Sequence, residues 1–497
     1  MRTSYFEHFM RNTGRGAVVA LVAALAAACG GGTSQSGAPA SAHPLYSTGT
    51  ITGFGSVHLD GKKFDTTSAK IMVNGQSATQ ADLHAGDVVE VQAHHDSNSG
   101  ADVADEVDFR ANVRGPLTSV DATPPADPST HVLVVLGQTV VVSPDTSYGV
   151  DISPATVAGL TIGDILEVSG YPQANGDILA MRIERKPAGA SFEVLGSMSK
   201  TDSTAKTFQI NALVVDFSAA SLQNFPSGGP ADGVVVEANG ATLGANAQLL
   251  ASQVEALASH EMHAGVNDDA QYEGPVTRYA SATDFDVADH KVTTDTSTIF
   301  VNGTAADLAT PNIRVEVEGS IDSTGTLVAS KIQFEHSATV RLRAQIDAVD
   351  TTATPNTLTV LGVKIAVTDL TRFEDESAGH LATFNLSNLQ IGAWVEVRGT
   401  ESPAGSNQLT AERIELLETQ SNVELAGPVK MATEPQFTIL ALPVNTTGTT
   451  VFSDATGMST TASAFFTGLI GKHADAKGTW DGTTFTALSA TLANEED

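Results

Sequence analysis

The stretch GAWVEVRG, residues 392–399, decides the fold, because close copies of it recur along the whole chain. The six copies are GDVVEVQA (86–93), GDILEVSG (163–170), GVVVEANG (233–240), NIRVEVEG (312–319), GAWVEVRG (392–399) and GKHADAKG (471–478). Their first residues are 77, 70, 79, 80 and 79 positions apart. A spacing this regular is typical of tandem small domains.

Each copy, which we call the anchor strand, stands between two other recurring phrases. A short opening strand such as VRGPLTSVD (113–121) precedes it, and a closing strand such as DILAMRIE (177–184) or QLTAERIE (408–415) follows it. Alternating runs such as HVLVVLGQTVVVS (131–143) lie between opening and anchor, and their period of two predicts strands joined by a tight turn. Five or six short strands per unit favour a small closed barrel of the OB-like or SH3-like kind, which leaves no exposed edge.

The predicted fold class is therefore all-β, with six tandem small antiparallel barrels after a leader. Few aromatic residues (5%) and few charged residues (17%) agree with short strands and turns. The predicted segments are a signal peptide (1–28), a lipid-anchored flexible linker (29–44), repeat 1 (45–112), repeat 2 (113–190), repeat 3 (191–258), a linker (259–269), repeat 4 (270–337), repeat 5 (338–419) and repeat 6 (420–497).

The first residues indicate export. Three arginines precede the apolar run AVVALVAALAAA (17–28), which is too short to span a bilayer and ends in small residues, as a secretory signal does. The only cysteine, Cys29, follows that run directly. The junction AAAC resembles the lipobox of bacterial lipoproteins, although Leu25 lies one place too early. The resemblance implies a lipid anchor on Cys29, and Gly30 in place of aspartate favours the outer membrane, with the folded domains in the periplasm or at the cell surface.

The repeated pattern also carries a family resemblance. An opening G-x-V, a middle hairpin, a G-D-x-V-E-V-x-G anchor and a closing L-A-x-x-I strand are similar to a family of small repeated domains of unknown function. Such domains are found in bacterial secreted proteins and lipoproteins. The resemblance covers nearly the whole mature chain and implies no catalytic residue.

The fifth position of the anchor strand is acidic in all six copies. One hypothesis is that each repeat uses this carboxylate to bind a metal ion or another ligand. The acidic residues are Glu90, Glu167, Glu237, Glu316, Glu396 and Asp475. Pairing the anchor with the closing strand as a simple hairpin places Glu167 opposite Arg182, Glu316 opposite Lys331 and Glu396 opposite Arg413. The sequence thus favours cross-strand ion pairs on an exposed face, with the alternate valines and leucines in the core.

Repeat 1 breaks this pattern, because the same pairing places Glu90 opposite Glu106. Two facing carboxylates repel unless a cation lies between them. The turn between their strands is rich in oxygen and imidazole ligands, and its Asp-x-Asn spacing is similar to that of calcium loops. One hypothesis is therefore a metal site, and the other is a solvated turn. The candidate ligands are Glu90, His94, His95, Asp96, Asn98, Asp102 and Glu106.

The other candidate sites have fewer of the residues that metal binding, sugar binding or catalysis requires. HEMH (260–263) is one residue short of the H-E-x-x-H zinc motif and is interpreted as linker. Trp394 and Trp480 are candidate contacts for a sugar ring, with cross-strand packing as the alternative. The sequence has no G-x-S-x-G, P-loop or G-x-G-x-x-G motif, so no catalytic residue is assigned and a hydrolase is disfavoured.

Charge and repetition together suggest a function class. Acidic residues outnumber basic ones by 57 to 26, and the net charge of -31 disfavours nucleic acid as a partner. The sequence favours a non-enzymatic, membrane-tethered rod or arc of barrels that binds or scaffolds at the cell envelope, with polysaccharide or an envelope protein as partner. The alternative is a divalent-cation or polysaccharide binder in which repeat 1 is specialised. No cofactor is expected apart from the calcium hypothesis.

Overall fold

The described residues are almost entirely β. The computed structural model describes residues 44–493 except positions 55, 60, 98, 122–129, 154, 258–263, 336–338, 369, 376, 378, 380, 382–383, 404 and 455–457. These residues form 39 strands, four 3-10 helices and one α-helix of five residues. The all-β prediction is confirmed.

The first three repeats contain 21 strands and two 3-10 helices. In repeat 1 the elements are β1 (Pro44–Gly53), β2 (Val57–Leu59), β3 (Lys62–Asp65), β4 (Lys70–Val73), β5 (Gln76–Ala78), a 3-10 helix (Gln80–Asp82), β6 (Val88–Asp96) and β7 (Ala101–Phe109). In repeat 2 they are β8 (Val113–Val120), β9 (His131–Val135), β10 (Gln138–Tyr148), a 3-10 helix (Val157–Gly159), β11 (Ile165–Pro172) and β12 (Ile178–Lys186). In repeat 3 they are β13 (Phe192–Ser197), β14 (Ser199–Asp202), β15 (Thr207–Ile210), β16 (Leu213–Asp216), β17 (Ser221–Gln223), β18 (Val235–Gly240), β19 (Thr242–Leu243), β20 (Leu249–Leu250) and β21 (Gln253–Ala256).

The last three repeats contain the other 18 strands and the α-helix. In repeat 4 the elements are β22 (Asp269–Ser281), β23 (Asp284–Val287), β24 (His290–Val301), a 3-10 helix (Asp307–Ala309), β25 (Arg314–Ile321) and β26 (Leu327–Glu335). In repeat 5 they are β27 (Val340–Asp350), β28 (Asn356–Val360), β29 (Val363–Val367), β30 (Arg372–Asp375), a 3-10 helix (Leu386–Asn388), β31 (Trp394–Glu401) and β32 (Leu409–Leu417). In repeat 6 they are β33 (Val423–Thr433), β34 (Gln436–Ile439), β35 (Leu442–Asn445), β36 (Val451–Ser453), β37 (Ser459–Thr460), α1 (Ala462–Phe466), β38 (His473–Trp480) and β39 (Phe485–Ala493).

The strands of one repeat close into a barrel. In repeat 2 the order is β8, β9, β10, β12, β11 and back to β8, and β10 runs parallel to β12. Numbered within the repeat this is 1-2-3-5-4-1, the connectivity of the OB fold, and the 3-10 helix lies between the third and fourth strands. Repeat 4 closes in the same way through β22, β23, β24, β26 and β25. Of the two barrel types that the sequence left open, the structure thus has the OB type.

The barrel interiors contain the alternate residues of the anchor strands. The side chains predicted to face the core are all fully buried, at 0% exposure: Leu166, Val168, Val315, Val317, Val395 and Val397. Since successive side chains of a strand point to opposite faces, this part of the prediction is confirmed.

The barrels associate in pairs through their opening strands. Residues 113–116 of β8 pair with β11 along one edge of the strand. On the opposite edge β9 pairs only with residues 117–120. The edge of residues 113–116 that faces away from β11 can therefore pair with another repeat. The opening strand of repeat 3, β13, occupies it in antiparallel orientation, and β27 and β33 pair likewise in repeats 5 and 6. Covering this edge removes unpaired backbone groups.

Repeats 1 and 4 form the third pair, although they are not neighbours in sequence. Their opening strands β1 and β22 pair in parallel, with Leu45 opposite Asp269 and Thr48 opposite Tyr272. The described residues belong to one compact unit. The expected rod or arc, in which each repeat would contact only its sequence neighbours, is therefore wrong, because the free edge of an opening strand is filled by a distant repeat.

Candidate functional site

The repeated glutamate is buried between barrels. The exposed fractions of Glu167, Glu237, Glu316 and Glu396 are 6%, 4%, 2% and 1%. The prediction of an exposed face is wrong for these four residues, because their carboxylates contact buried charged and polar side chains instead of water.

The predicted cross-strand partners are also wrong, by two residues. Glu167 lies opposite Glu184 rather than Arg182, and Arg182 lies opposite Ser169. The corresponding shift places Glu316 opposite Gln333, Glu396 opposite Glu415 and Glu90 opposite Asp108. The causes in repeat 2 are two: the hairpin turn places Pro172 opposite Ile178, which shifts the register by one residue, and a bulge at Gly170, where a Cβ atom would lie 2.0 Å from the carbonyl oxygen of Leu179, shifts it by another. The extra residue of a bulge moves every later pairing of the strand.

At the interface of repeats 2 and 3, which we call the 2–3 interface, the counter-charge comes from the opening strand. Arg114 lies between the two barrels and binds Glu167 of its own repeat at 2.9 Å and Glu193 of the next repeat at 2.6 Å. The third carboxylate, Glu237, accepts a hydrogen bond of 2.7 Å from Arg110. Three buried carboxylates thus share Arg114 of the opening strand and Arg110 from the end of repeat 1, and Lys186 also binds Glu167, at 2.7 Å.

The 5–6 interface repeats this arrangement. Arg343 of the opening strand binds Glu396 of its own repeat and Glu424 of the next repeat, with distances of 2.9 Å and 3.2 Å. Arg341 binds the third carboxylate, Asp475, at 2.7 Å. Two interfaces far apart in the sequence therefore have the same order of charges.

The 1–4 interface uses hydroxyl and amide groups as well as a cation. Glu273 accepts hydrogen bonds from the backbone N–H of Thr50 at 2.7 Å and from its hydroxyl at 3.1 Å, and it binds Arg314 at 2.9 Å. The hydroxyl of Tyr171 lies 2.8 Å from that of Thr50, so repeat 2 reaches the same point. Gln271 donates to Glu316 at 2.5 Å.

Burial and neighbouring charges shift the pKa values of these carboxyl groups in opposite directions. Burial, with repulsion from Glu237 and Glu167, outweighs the attraction of Arg114 and raises the pKa of Glu193 to about 8. Burial alone would also raise the pKa of Glu396, but four arginines (Arg398, Arg341, Arg343 and Arg413) lower it on balance. Like charges that share a site disfavour the ionised form. Glu193 is therefore largely protonated near neutral pH, whereas Glu396 is ionised.

Repeats 2 and 5 meet at the segment Pro144 to Ser147. Arg398 donates to the carbonyl oxygen of Pro144 at 2.8 Å, and Arg372 donates to that of Asp145 at 2.6 Å. Arg413 donates more weakly to Thr146, at 3.3 Å. The hydroxyl of Ser147 donates to buried Glu374 of repeat 5 at 2.5 Å. Side chains of repeat 5 thus hold the backbone of repeat 2.

A cavity of about 180 Å³ lies where repeats 1, 2, 4 and 5 meet, and we call it the four-repeat cavity. Its lining includes Thr50, Asp145, Arg314 and Glu412, one from each of these repeats. Glu412 is the extra residue of the bulge in repeat 5, and burial followed by repulsion from Asp145 raises its pKa to about 8. A carboxyl group that stays protonated at neutral pH can donate a hydrogen bond.

A second cavity of about 210 Å³ lies between repeats 2 and 5, and we call it the 2–5 cavity. Its cationic lining consists of Arg341, Arg398 and Arg413, together with His131. The hydroxyl side chains in the lining are Ser143, Thr146, Tyr148, Thr156 and Thr339. No aspartate or glutamate is among the described residues that line it.

Comparison with known protein families identifies the repeats. Residues 48–108, 114–184, 273–333 and 343–415 match the model of a family described as a domain of unknown function, DUF5666. These segments make up more than half of the chain. The chain belongs to the DUF5666 family. The matched segments lie in repeats 1, 2, 4 and 5, so the four DUF5666 barrels are the ones that meet at the four-repeat cavity.

The comparison confirms tandem domains of unknown function, while the lipoprotein setting stays a prediction. No curated protein matches the chain. A solved structure described as "drosophila Unr CSD456" is 12% identical, and the match covers 44% of this chain and 99% of that chain with a TM-score of 0.14. A likeness at that score supports no argument about fold or function.

The candidate metal ligands of repeat 1 lie on two adjacent strands and pair with one another. The rings of His94 and His95 lie 3.0 Å from Asp105 and Asp102 respectively. Glu106 binds Lys70 at 2.9 Å. Within the described part of the chain, no group of three or more His, Cys, Asp or Glu residues could hold a metal ion. Asn98 lies outside the described residues, and calcium binding stays a prediction.

The remaining candidates are placed as follows. Trp394 and Trp480 are half-buried and pack against the common core of repeats 5 and 6. Their role as sugar contacts is untested. Cys29 and the segment HEMH (260–263) lie outside the described residues.

Sequence reasoning missed a repeated threonine that links two strands in four of the barrels. Its hydroxyl accepts from a backbone N–H three residues earlier and donates to the carbonyl of the alanine in the closing strand. The four pairs are Thr146 with Ala180, Thr298 with Ala329, Thr371 with Ala411, and Thr450 with Ala487. The alanine was visible in the L-A-x-x-I phrase, and aligning the repeats on it would have revealed the threonine.

Proposed function

We propose that the protein is a non-enzymatic binding scaffold of the bacterial cell envelope, which presents several OB-type barrels in fixed positions. The observation that carries this proposal is the set of buried ion pairs and hydrogen bonds between barrels, including barrels distant in sequence. An isolated string of domains would not need such contacts. Fixed barrels allow several weak sites to bind one extended partner with gain in avidity.

An envelope polysaccharide is the partner class that suits these barrels best. The face formed by strands 2 and 3 of OB folds, and the adjoining loops, bind oligonucleotides and oligosaccharides. A net charge of -31 opposes binding to a phosphate backbone. The oligosaccharide class therefore remains, and we place the function there.

The charged groups at the junction support a binding role rather than catalysis. Glu415 is bound to Arg413 at 2.6 Å, and Glu396 is bound to Arg398 at 2.7 Å. Both pairs lie within repeat 5, and their arginines also donate to backbone carbonyls of repeat 2, which holds the two barrels together. A general base or nucleophile would need a site beside it for a reacting atom.

Attachment to the membrane is part of the proposal and relies on the lipid anchor at Cys29. In the described part of the chain, no helix has the length and hydrophobicity needed to cross a membrane. We expect the full-length protein to incorporate labelled palmitate in a bacterial host, and Cys29→Ala to abolish the label. Unchanged labelling of Cys29→Ala would contradict the anchor.

The binding role is tested by co-sedimentation of the soluble chain from Gly30 onward with insoluble envelope polysaccharide. We expect saturable binding without release of new reducing ends over several hours. Binding that fails to saturate, or steady release of reducing ends, would contradict a non-enzymatic scaffold. Hydrogen exchange on the same sample tests whether the barrels are fixed, since the backbone amides of Val113 and Val194 should be protected together.

A further inference from the structure

The 2–5 cavity concentrates positive charge in a strongly acidic protein. Three of the 26 basic residues of the chain, Arg341, Arg398 and Arg413, line this one cavity. Each is also anchored by a carboxylate outside the lining: Asp475, Glu396 and Glu415 respectively. The carboxylates fix the guanidinium groups from behind, and hydroxyl groups complete the wall facing the cavity.

Tyr148 is a second and independent sign of a ligand. Its side chain is 6% exposed, and its hydroxyl makes no hydrogen bond with any described residue. Tyr148 lines the cavity and interacts electrostatically with Arg413 and Arg398. The hydroxyl keeps some accessible surface although the ring is buried, so it can donate a hydrogen bond to a ligand acceptor in the cavity.

The contacts between repeats 2 and 5 leave some N–H groups of Arg398 and Arg413 without a hydrogen-bond partner among the described residues. Arg398 binds Pro144 through Nη1 and Glu396 through Nε, and no described residue binds its Nη2. The Nε of Arg413 is buried and has no hydrogen-bond partner. Nη2 of Arg398 therefore remains as a donor after the interface contacts are made, and Arg398 and Arg413 line the four-repeat cavity as well as the 2–5 cavity.

We propose that the 2–5 cavity binds one oxyanion group, namely the carboxylate, phosphate or sulfate of a small ligand or of an acidic polysaccharide. The three arginines supply positive charge, Nη2 of Arg398 supplies an N–H donor, and Tyr148 adds a hydroxyl donor. This site goes beyond the proposed scaffold, since a scaffold could bind neutral polysaccharide without it.

The first experiment is calorimetric titration of the soluble chain from Gly30 onward with inorganic phosphate, sulfate, galacturonate and galactose at constant ionic strength. We expect saturable binding of at least one oxyanion and none of galactose. Binding of galacturonate alone would assign the site to an acidic sugar, and binding of phosphate or sulfate alone would assign it to a free anion. Binding of none of the three anions at tens of millimolar would overturn the proposal.

Tyr148→Phe provides the test of location. It removes one oxygen from a hydroxyl with no protein partner, so the melting temperature without ligand should stay the same. We expect the dissociation constant for the anion to rise about tenfold or more, the usual effect of losing a hydrogen bond to a charged group. The matched control is Tyr279→Phe, which changes an exposed tyrosine near the end of β22. This variant should bind the anion as the original chain does. Unchanged affinity in Tyr148→Phe would overturn the site.

A second variant uses the absence of any other cysteine from the soluble chain. Thr156→Cys places one thiol at the exposed rim of the cavity, and a bulky maleimide on it should abolish anion binding. The control is the same label on Thr483→Cys in the last turn of repeat 6. Equal binding by both labelled proteins would show that the anion binds elsewhere. None of these outcomes depends on polysaccharide co-sedimentation, so the two proposals can fail separately.

Discussion

The 2–3 and 5–6 interfaces neutralise their carboxylates in one way, and the 1–4 interface does so in another. In the first two, Glu, Arg and Glu lie directly opposite one another on three adjacent strands: Glu167, Arg114 and Glu193 in one case and Glu396, Arg343 and Glu424 in the other. In the 1–4 interface the opening strand of repeat 1 supplies the backbone N–H and hydroxyl of Thr50 instead of an arginine, and Thr48 lies opposite Glu90.

The direction of the pairing explains the difference. Antiparallel opening strands bring Arg114 opposite both Glu167 and Glu193, so one cation serves two barrels. Parallel pairing of β1 with β22 gives another register, in which Glu273 is reached by the backbone N–H of Thr50, and by Arg314 from its own barrel. The same barrel with the same acidic position can therefore join a neighbour in either direction, provided that its opening strand supplies the matching donor.

The largest expected effect is the loss of a shared arginine. Arg114→Ala should lower the free energy of unfolding by about 3–5 kcal/mol, because it removes a cation from buried Glu167 and the N–H donor from buried Glu193. The control is Arg278→Ala, whose side chain is 45% exposed and whose pairs with Asp284 and Asp286 should contribute about 0–1 kcal/mol. Chemical denaturation measures both. Equal losses would remove the distinction between interface and surface arginines.

The next effect concerns a feature that all three interfaces share, the glycine bulge of the anchor strand. Gly399→Ala would place a Cβ atom 2.2 Å from the carbonyl oxygen of Thr410. We expect a loss of about 1–3 kcal/mol or more from steric overlap and altered register. Gly448→Ala is the control, since no atom lies within 4 Å of the added Cβ. If Gly399→Ala unfolds at the same denaturant concentration as the original chain, the bulge does not set the register.

The pH dependence of stability separates the protonated carboxyl group of the 2–3 interface from the ionised ones. The folded pKa of Glu193, about 8, lies above the ordinary value of 4.5 for a glutamate. The native state therefore holds a proton that the unfolded state releases, and stability falls as pH rises from about 4.5 to 8. Glu193→Gln should remove this slope and gain on the order of 1–3 kcal/mol relative to the original chain at pH 8, but little at pH 5. Exposed Glu434→Gln should follow the original chain at both pH values.

The smallest expected effect is that of calcium on repeat 1. In the described part of the chain the carboxylates near His94 and His95 already pair with these rings, so we expect millimolar calcium to leave the melting profile unchanged. A ligand of the folded state present at a hundredfold excess over its dissociation constant would add about 2.7 kcal/mol. A rise in melting temperature that Asp96→Ala abolishes would revive the cation hypothesis and make repeat 1 a functional exception.

Sequence reasoning reached the barrel but not the pairing of its charges. The alternation in GDILEVSG predicts correctly that Leu166 and Val168 face the core, since that property depends only on the period of the strand. The partner of Glu167 depends on the hairpin turn and on the bulge at Gly170, whose glycine was visible but whose geometry was not. A simple hairpin register therefore misplaced Arg182 by two residues.

The cavities were beyond sequence reasoning for a different reason. Tyr148 and Arg413 lie more than 250 residues apart and meet because repeats 2 and 5 contact each other. No local pattern specifies which barrel packs on which. Arg413 was noticed, but only as a partner of Glu396 within its own barrel.

The sequence by itself determined the repeat, the β class and the core positions, because short-range alternation and turn residues suffice for a small barrel. The tertiary structure alone decided that the repeated glutamates are buried, that repeat 1 joins repeat 4 in parallel, and that arginines gather at the 2–5 cavity. The physical reason is that a strand edge can pair with any complementary edge that the folded chain brings to it, and such long-range choices leave no periodic signal in the sequence.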